Sequence, residues 1–536
     1  MTEFSLNSLR EPERHTLRRV SVADCRAQGS AMLLERAVQR RHMTPTLKHL
    51  ISGISGLIVT GKDTVTVRAL ATDSRRVVSG SMFIALPGLR TDGHFYVSEA
   101  IDRGASVIVC EKDCWVPPNV TLVQTNDLRS FVACVASRFY GHPEKALELT
   151  GFLGTSGKTV ACTLLKHFLS KDGPLGVLGT INYSVGGRTL PAHRTTPEAI
   201  ELFGLFAQIK QRECRRVLME VSAHGIDQKR VEGLQFRNLV LTNLTPEHLN
   251  YHGSLEQYVS LEREYVKGQA KGLKYFIAGI DDGRVHSILE TAPESLKAKA
   301  LTFGCSEGAT IRASRITYSE RDTRFTLNWP EGQVKLVSPL LGEFNLQNTL
   351  AAIACGYAEG LDPVQMGADL LSFPAVRGRM ERLDVECPFN LVVDYMHTEA
   401  AYDKGLDMLR GLTKGRLITI FGCGGNRDDK TRPVITDIVA RKSDIAIATA
   451  DNPRNETIEA IFEDMRRSNE SHDNLRFIDD RRAAIAAAIA QARPGDTVLI
   501  AGKGHETFQE FGDCVVPFDD RAVALEILKN QQWHNQ

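Results

Sequence analysis

The sequence has no imbalance of charge, because its 65 basic and 65 acidic residues cancel. Nucleic acid and anionic membranes are gripped through a basic footprint, so neither is an expected partner. It lacks any run approaching the ~20 apolar residues of a membrane span, so no membrane insertion is expected. Its 11 cysteines are scattered rather than spaced as metal ligands. The nearest pair of interest, Cys110 and Cys114, reads as reduced structural thiols. With no secretory signal in view, the expected compartment is a reducing cytoplasm. There is no internal repeat, which removes solenoids, and no low-complexity linker. What remains is 24% charged and 42% hydrophobic residues, an ordinary globular composition.

A chain of 536 residues exceeds what one core holds, so several domains are expected. Residues 1–42 stand apart, with eight arginines and five acids, and end in Arg40-Arg-His42. Organelle-targeting peptides are basic and poor in acids, which fits this segment badly. It reads as a variable extension, or as an upstream start with Met43 opening the core. Ala31 to Arg41 has the pattern of a short helix. Residues 43–145 show short strands (Thr64 to Arg68, Ser81 to Leu86, Ala105 to Cys110) with turns and one or two helices, a small α/β domain. Residues 146–374 alternate apolar strands (Arg216 to Glu220, Asn238 to Thr242, Tyr275 to Ala278) with helices, as a wound parallel sheet does. A β-rich patch runs from Ala309 to Val337. Residues 375–536 repeat the alternation, with strands at Asn390 to Asp394, Leu417 to Phe421, Ile445 to Ala448 and Thr497 to Ala501. The predicted fold class is α/β in three domains, the third an open, Rossmann-like sheet.

Gly154-Thr-Ser-Gly-Lys-Thr159 lies between the apolar run Leu149 to Leu153 and the helical pattern Ala161 to Leu169. Strand, glycine turn, Lys-Thr and helix form the layout of a nucleotide-triphosphate cradle. Backbone N–H groups of Gly154, Thr155, Ser156 and Gly157 would face the phosphates. Lys158 would reach the outer phosphates and the Thr159 hydroxyl would hold Mg²⁺. The strict pattern requires glycine where Phe152 stands, and Gly151 is one residue early.

Ligands collect at strand ends in such sheets. Met219-Glu-Val-Ser-Ala-His-Gly225 and Thr242-Asn-Leu-Thr-Pro-Glu-His248 follow two of the strands. Glu220 and His248 are thus plausible partners for the cation at Thr159, although Mg²⁺ prefers oxygen and His248 would be an unusual direct ligand. In the third segment, Phe421-Gly-Cys-Gly-Gly-Asn-Arg-Asp428, Ala450-Asp-Asn-Pro-Arg454 and Ala501-Gly-Lys-Gly-His-Glu506 each follow a strand. Arg427 and Arg454 suit planar, bidentate pairing with carboxylate, and Glu506 suits an ammonium group. Together they look like a site for a zwitterionic amino acid.

In this order and spacing the motifs resemble the Mur ligases, within them the type that adds the third residue of the peptidoglycan stem peptide. The resemblance covers about Leu47 to Leu528. It adds Thr72-Asp-Ser-Arg75, Thr195-Thr-Pro197, Gly342-Glu-Phe-Asn-Leu-Gln-Asn348, Gly378-Arg-Met-Glu381 and Val393-Asp-Tyr-Met-His397 to the motifs above. It implies that the three domains hold, in order, the uridine nucleotide, ATP with Mg²⁺ (two ions), and the incoming amino acid. Ser74, Thr195, Thr196, Ser222, Gln228 and Arg230 would contact a UDP-muramyl dipeptide. Asn348, Arg379, Asp394 and His397 would hold ATP from the domain boundary. In this family Asp-Asn-Pro-Arg marks addition of meso-diaminopimelate rather than lysine, so Asp451, Asn452, Arg454, Arg427, Gly502 and Glu506 would form its pocket. The implied reaction is ATP-dependent amide ligation through an acyl phosphate, by a monomer. A paralogue with a different acceptor, and a non-catalytic scaffold, stay open.

One departure touches the chemistry. Fourteen residues after the motif histidine the family usually has a carbamylated lysine; here that position is Glu262, within Ser260-Leu-Glu-Arg-Glu264. No carbamate is therefore expected. Glutamate supplies the same charge but falls short by about 3–4 Å. The expectation is that Glu262 replaces the carbamate at the metal; the alternative is a solvated helix residue. Smaller departures are Glu247-His-Leu-Asn250, Ser156, Val160, Arg194 and Met396.

Overall fold

The computed structural model describes residues 44–88, 91–467 and 472–530. The extension, the candidate helix from Ala31 to Arg41, and Met43 lie outside them. The first sheet contains β1 (Ile58–Thr60), β2 (Ala69–Ala71), β3 (Ser81–Ile84), β4 (Ala105–Cys110) and β5 (Thr121–Gln124), in the order β1-β5-β4-β3-β2. Only β1 runs antiparallel to its neighbour. The strand expected from Thr64 to Arg68 does not form. Its backbone is committed to the chain entering the first helix: Leu47 N–H donates to Val65 O at 2.7 Å and Val67 N–H to Pro45 O at 2.9 Å. Only Thr66 makes a β-bridge, to Thr46. Three α-helices, Leu47–Ile51, Val97–Asp102 and Leu128–Phe139, stand where one or two were expected.

The second sheet holds β6 (Glu148–Leu153), β7 (Leu175–Leu178), β8 (Asn182–Val185), β9 (Arg188–Pro191), β10 (Arg216–Glu220), β11 (Asn238–Leu241), β12 (Tyr275–Gly279), β13 (Ala300–Gly304), β14 (Ile311–Tyr318), β15 (Thr323–Trp329) and β16 (Gly332–Ser338). Its order is β16-β15-β14-β13-β12-β11-β6-β10-β7-β8-β9. The strands from β14 across to β7 are parallel, and antiparallel ribbons finish both edges. A parallel sheet is covered on both faces, which is why β6, β11 and β12 read as apolar runs rather than alternations. The helix Gly342–Ala358 lies against one face and buries most of its residues, from Asn345 to Gly356 above all.

The third sheet joins β17 (Glu381–Arg382), β18 (Asn390–Asp394), β19 (Leu417–Phe421), β20 (Ile445–Ala448), β21 (Leu475–Phe477) and β22 (Thr497–Ala501) in the order β17-β18-β22-β19-β20-β21. All but β17 are parallel. A hairpin of β23 (Phe508–Phe511) and β24 (Cys514–Pro517) follows. The first two sheets share one apolar core, in which Leu128, Phe131 and Val135 pack with Phe203, Phe206 and Leu234. The third sheet has separate cores on its two faces. Each large apolar side chain removed from water contributes about 1.5–3 kcal/mol, so the first two units are the more firmly joined.

Candidate active site

In the second sheet β6 lies between β10 and β11, all parallel. The loops after these three strands therefore leave the same edge side by side. Gly154 and Gly157 have φ of 101° and 90°, a backbone that favours glycine. A Cβ at Gly157 would stand 2.0 Å from Asn348 Oδ1, so Asn348 lies directly against the turn. Thr155 Oγ1 bonds Thr245 O at 3.1 Å and Tyr258 Oη at 2.9 Å, while Ser156 N–H donates to Asn243 Oδ1 at 3.1 Å. The Lys158 ammonium folds back on its own loop, donating to Gly154 O at 2.5 Å and Thr155 O at 2.8 Å.

The Thr159 hydroxyl donates to Glu220 Oε2 at 2.8 Å. Glu220 is 2% exposed and also accepts from Thr180 N–H and Thr180 Oγ1, both at 2.9 Å. Thr180 carried no signal of its own in the sequence; it matters because β7 is the next strand beyond β10. His248 is not drawn into this pair. Its half-exposed ring lies 3.8 Å from Glu247 Oε1, and its centroid is 4.9 Å from that of His224.

Glu262 is on the helix Leu255–Gln269, whose Tyr258, Glu262 and Val266 form one buried stripe at four-residue spacing. Tyr258 reaches the loop through Thr155, and Glu262, one turn on, is fully buried. Neither of its oxygens makes a well-formed hydrogen bond, and the Tyr265 hydroxyl is equally unpaired; the Gly154 backbone N–H is the polar group that approaches the carboxylate. Burial pushes the carboxyl up to about 7, against the pull of the Lys158 charge and of the Gly154 N–H. The alternative of a solvated helix residue is thus overturned, because the docked helix turns this position inward. An interior carboxyl without a partner costs about 1–3 kcal/mol and calls for an explanation such as an ion. Thr159 and Glu220 offer oxygen donors beside the Gly154–Gly157 turn, and Glu262 offers a carboxylate near Gly154 and Lys158; oxygen donors of this kind fit Mg²⁺.

At the other side of β10, Thr196 Oγ1 donates to Glu220 O at 3.0 Å and lies 3.1 Å from Ser222 Oγ, and Thr195 Oγ1 is 3.1 Å from Thr180 Oγ1. Arg230 holds Thr196 O at 2.9 Å, Gln228 Oε1 at 2.5 Å and Glu198 at 3.1 Å. Gln228 and Arg230 line a cleft between the first two sheets with Thr72, Leu86, Arg129 and Glu198. Ser74 is buried and donates to Glu99 at 2.8 Å.

In the third sheet β18, β22, β19 and β20 are consecutive neighbours, which puts the four motif loops together. Asn452 Nδ2 donates to Glu506 Oε2 at 2.8 Å; Lys503 donates to Asn452 Oδ1 at 2.9 Å and to Glu506 Oε2 at 2.8 Å. Lys503 is fully buried. Arg454, at φ 54°, is held by Glu510 at 3.1 Å and Gly425 O at 2.7 Å. A Cβ at Gly502 would stand 2.6 Å from Asp451 Oδ2. Arg427 is exposed beside Gly424. Lys503 stood in a recognised motif without a role, and Glu510, on the hairpin, had no sequence signal.

The boundary residues gather beside these loops. Arg379 stacks 4.7 Å over the Tyr395 ring, and Asp394 Oδ2 accepts from Met380 N–H at 2.5 Å. Burial raises Asp394 to about 6 and lowers His397, whose Nδ1 is 2.9 Å from Tyr395 O, to about 4.

Comparison with known proteins agrees along the chain. Residues 66–140 match the description "Mur ligase family, catalytic domain", residues 153–356 "Mur ligase middle domain", and residues 378–504 "Mur ligase, glutamate ligase domain". The chain belongs to the Mur ligase family. A relative from Solibacter usitatus, named UDP-N-acetylmuramoyl-L-alanyl-D-glutamate–2,6-diaminopimelate ligase, is 38% identical over 87% of this chain and 94% of its own. One of the same name from Geobacillus kaustophilus is 37% identical over 90% and 99%. A solved structure of a ligase of that name superposes with a TM-score of 0.64 at 28% identity, over 92% of this chain and 100% of that one. No helix among the described residues of this Mur ligase is long and apolar enough to cross a membrane.

Proposed function

We propose that this Mur ligase joins meso-diaminopimelate to UDP-N-acetylmuramoyl-L-alanyl-D-glutamate, forming ADP, as a monomer in the cytoplasmic stage of peptidoglycan synthesis. The observation that carries the choice of amine is the Arg454 guanidinium. Glu510 accepts from its Nε and Gly425 O from its Nη1, which fixes the plane of the group and leaves Nη2 and the second N–H of Nη1 to meet a carboxylate. Diaminopimelate has a second amino-acid head to offer that fork, and lysine does not. Asp451, Asn452, Arg427, Gly502 and Glu506 complete the pocket.

The γ-carboxylate of the D-glutamyl residue attacks the ATP γ-phosphorus and ADP leaves, giving an acyl phosphate. The neutral amine then attacks the acyl carbon, phosphate leaves, and the amine proton passes to solvent. Lys158 must leave Gly154 O and Thr155 O to follow the transferring phosphoryl group, so its donors are exchanged rather than newly desolvated. Thr159 and Glu220 would hold one Mg²⁺ and Glu262 a second, with His248 acting through water; the ions would offset phosphate charge. Glu262 takes the place of a lysine carbamate, and turnover is then independent of bicarbonate. Thr195, Thr196, Ser222, Gln228, Arg230 and Ser74 orient the UDP-muramyl dipeptide, while Asn348, Arg379, Asp394 and His397 orient ATP.

Phosphate release with the dipeptide substrate and either meso-diaminopimelate or lysine tests the reading. Release with diaminopimelate alone is expected. Binding of the dipeptide without release with either amine would overturn the acceptor, and failure to bind the dipeptide would overturn the donor.

A further inference from the structure

The first domain contains a second cluster with metal-binding chemistry. Cys110 ends β4, Cys114 follows it in a loop, and His94 belongs to the 3₁₀ turn Gly93–Tyr96. The sequence reading gave the two cysteines no partner, because His94 is distant from them along the chain. The fold brings one donor atom from each residue within 4.8 Å of the others. The sulfurs are 3.6 Å apart. That is too long for a bond, yet two Zn–S bonds of about 2.3 Å at the tetrahedral angle separate sulfurs by about 3.8 Å. His94 Nε2 is buried without a hydrogen-bond partner, whereas the other side of its turn is held: Asp92 caps His94 N–H at 3.0 Å and pairs with Lys112 at 3.0 Å. The two ligand-bearing segments are thus tied together independently of any ion.

We propose that His94, Cys110 and Cys114 form a site for a borderline-soft divalent ion of the zinc class, with water as fourth ligand. Binding releases one proton from each thiol to solvent and forms two metal–sulfur bonds and one metal–nitrogen bond. Mg²⁺ does not compete, since it selects oxygen. The ion would brace the turn whose Gly93 N–H donates to Leu86 O at 3.0 Å, and Leu86 lines the cleft shared by Gln228 and Arg230.

The test is Co²⁺ titration of the full chain in excess Mg²⁺, read by absorption, by quenching of the exposed Trp115 and by displacement with Zn²⁺. One cobalt per chain with a thiolate charge-transfer band is expected. In Cys114→Ser and His94→Ala the affinity should fall by at least about 100-fold, beyond the usual cost of losing an outer partner. Because either variant could unfold, wild-type alkylation is measured by peptide mass spectrometry as well. Zn²⁺ should protect the part-exposed Cys114 and leave Cys514, which is exposed, reactive; the buried Cys110 is not read in this assay. Cobalt binding without a thiolate band, equal alkylation of Cys114 with and without Zn²⁺, or diamide closing a Cys110–Cys114 disulfide at an unchanged rate in Zn²⁺ would each overturn the proposal.

Discussion

The proposed phosphate end and the proposed amino-acid end of this ligase are built alike, from loops at the ends of parallel strands, and finished differently. At the amino-acid end the charged groups satisfy one another before any substrate arrives: Lys503 with Asn452 and Glu506, Arg454 with Glu510 and Gly425. At the phosphate end Glu220 is saturated by Thr159 and Thr180, but Lys158 rests on backbone carbonyls of its own loop. Glu262 is buried with no well-formed hydrogen bond. A preorganised pocket fixes the geometry of a neutral zwitterion at little cost. A pocket that must receive several negative charges and their cations holds its charges in reserve, and pays for this in local stability.

The contrast breaks most readily at Lys503. Lys503→Met would leave the Glu506 carboxylate without its cation, and breaking a buried pair costs about 3–5 kcal/mol. A loss near 3 is expected, because Glu506 remains 19% exposed; it is measured by denaturant unfolding of the full chain. A shift under about 1 kcal/mol would mean the amino-acid end is no more rigid than a surface ion pair. Lys158→Met should show the opposite signature. It removes a donor proposed to act on the transferring phosphate, so kcat should fall by about 10²–10³-fold. The unfolding midpoint should move less than in Lys503→Met, because only two bonds to loop carbonyls are lost. A comparable loss of stability would mean that Lys158 holds the loop rather than the phosphate.

Much of this asymmetry could not be read in the sequence. Ala105–Cys110, Arg216–Glu220, Asn390–Asp394 and Thr497–Ala501 form as strands over the residues expected, because runs covered on both faces carry their own signal. The motif loops were legible for the same reason: each begins where such a run stops. Thr64 to Arg68 misled because its backbone partners are the distant residues 45–47, and alternation says nothing about who pairs. Counting from His248 found Glu262, but its burial depends on how one helix docks through Tyr258. Glu510 and His94 matter only through neighbours that the hairpin and the 3₁₀ turn bring to them, and no spacing rule covers either.

The smallest expected effect separates the two ends most cleanly. Glu262→Met keeps the length of the side chain and removes two oxygens that make no well-formed hydrogen bond. If the phosphate end holds an unpaired carboxyl in reserve for a cation, the ion-free variant should be more stable than the natural chain by about 1–3 kcal/mol. It should also bind Mn²⁺, used as a paramagnetic stand-in for Mg²⁺, more weakly in the presence of a nonhydrolysable ATP analogue. Stability and metal affinity would thus move in opposite directions, which a packing defect cannot produce, since a defect lowers both. The amino-acid end offers no such substitution: removing Lys503, Asn452 or Glu506 strands a partner in every case. A stabilised Glu262→Met chain with unchanged Mn²⁺ affinity would make Glu262 a strained relic of the fold. A destabilised one would mean that the carboxyl has a partner after all, and the difference between the two ends would disappear.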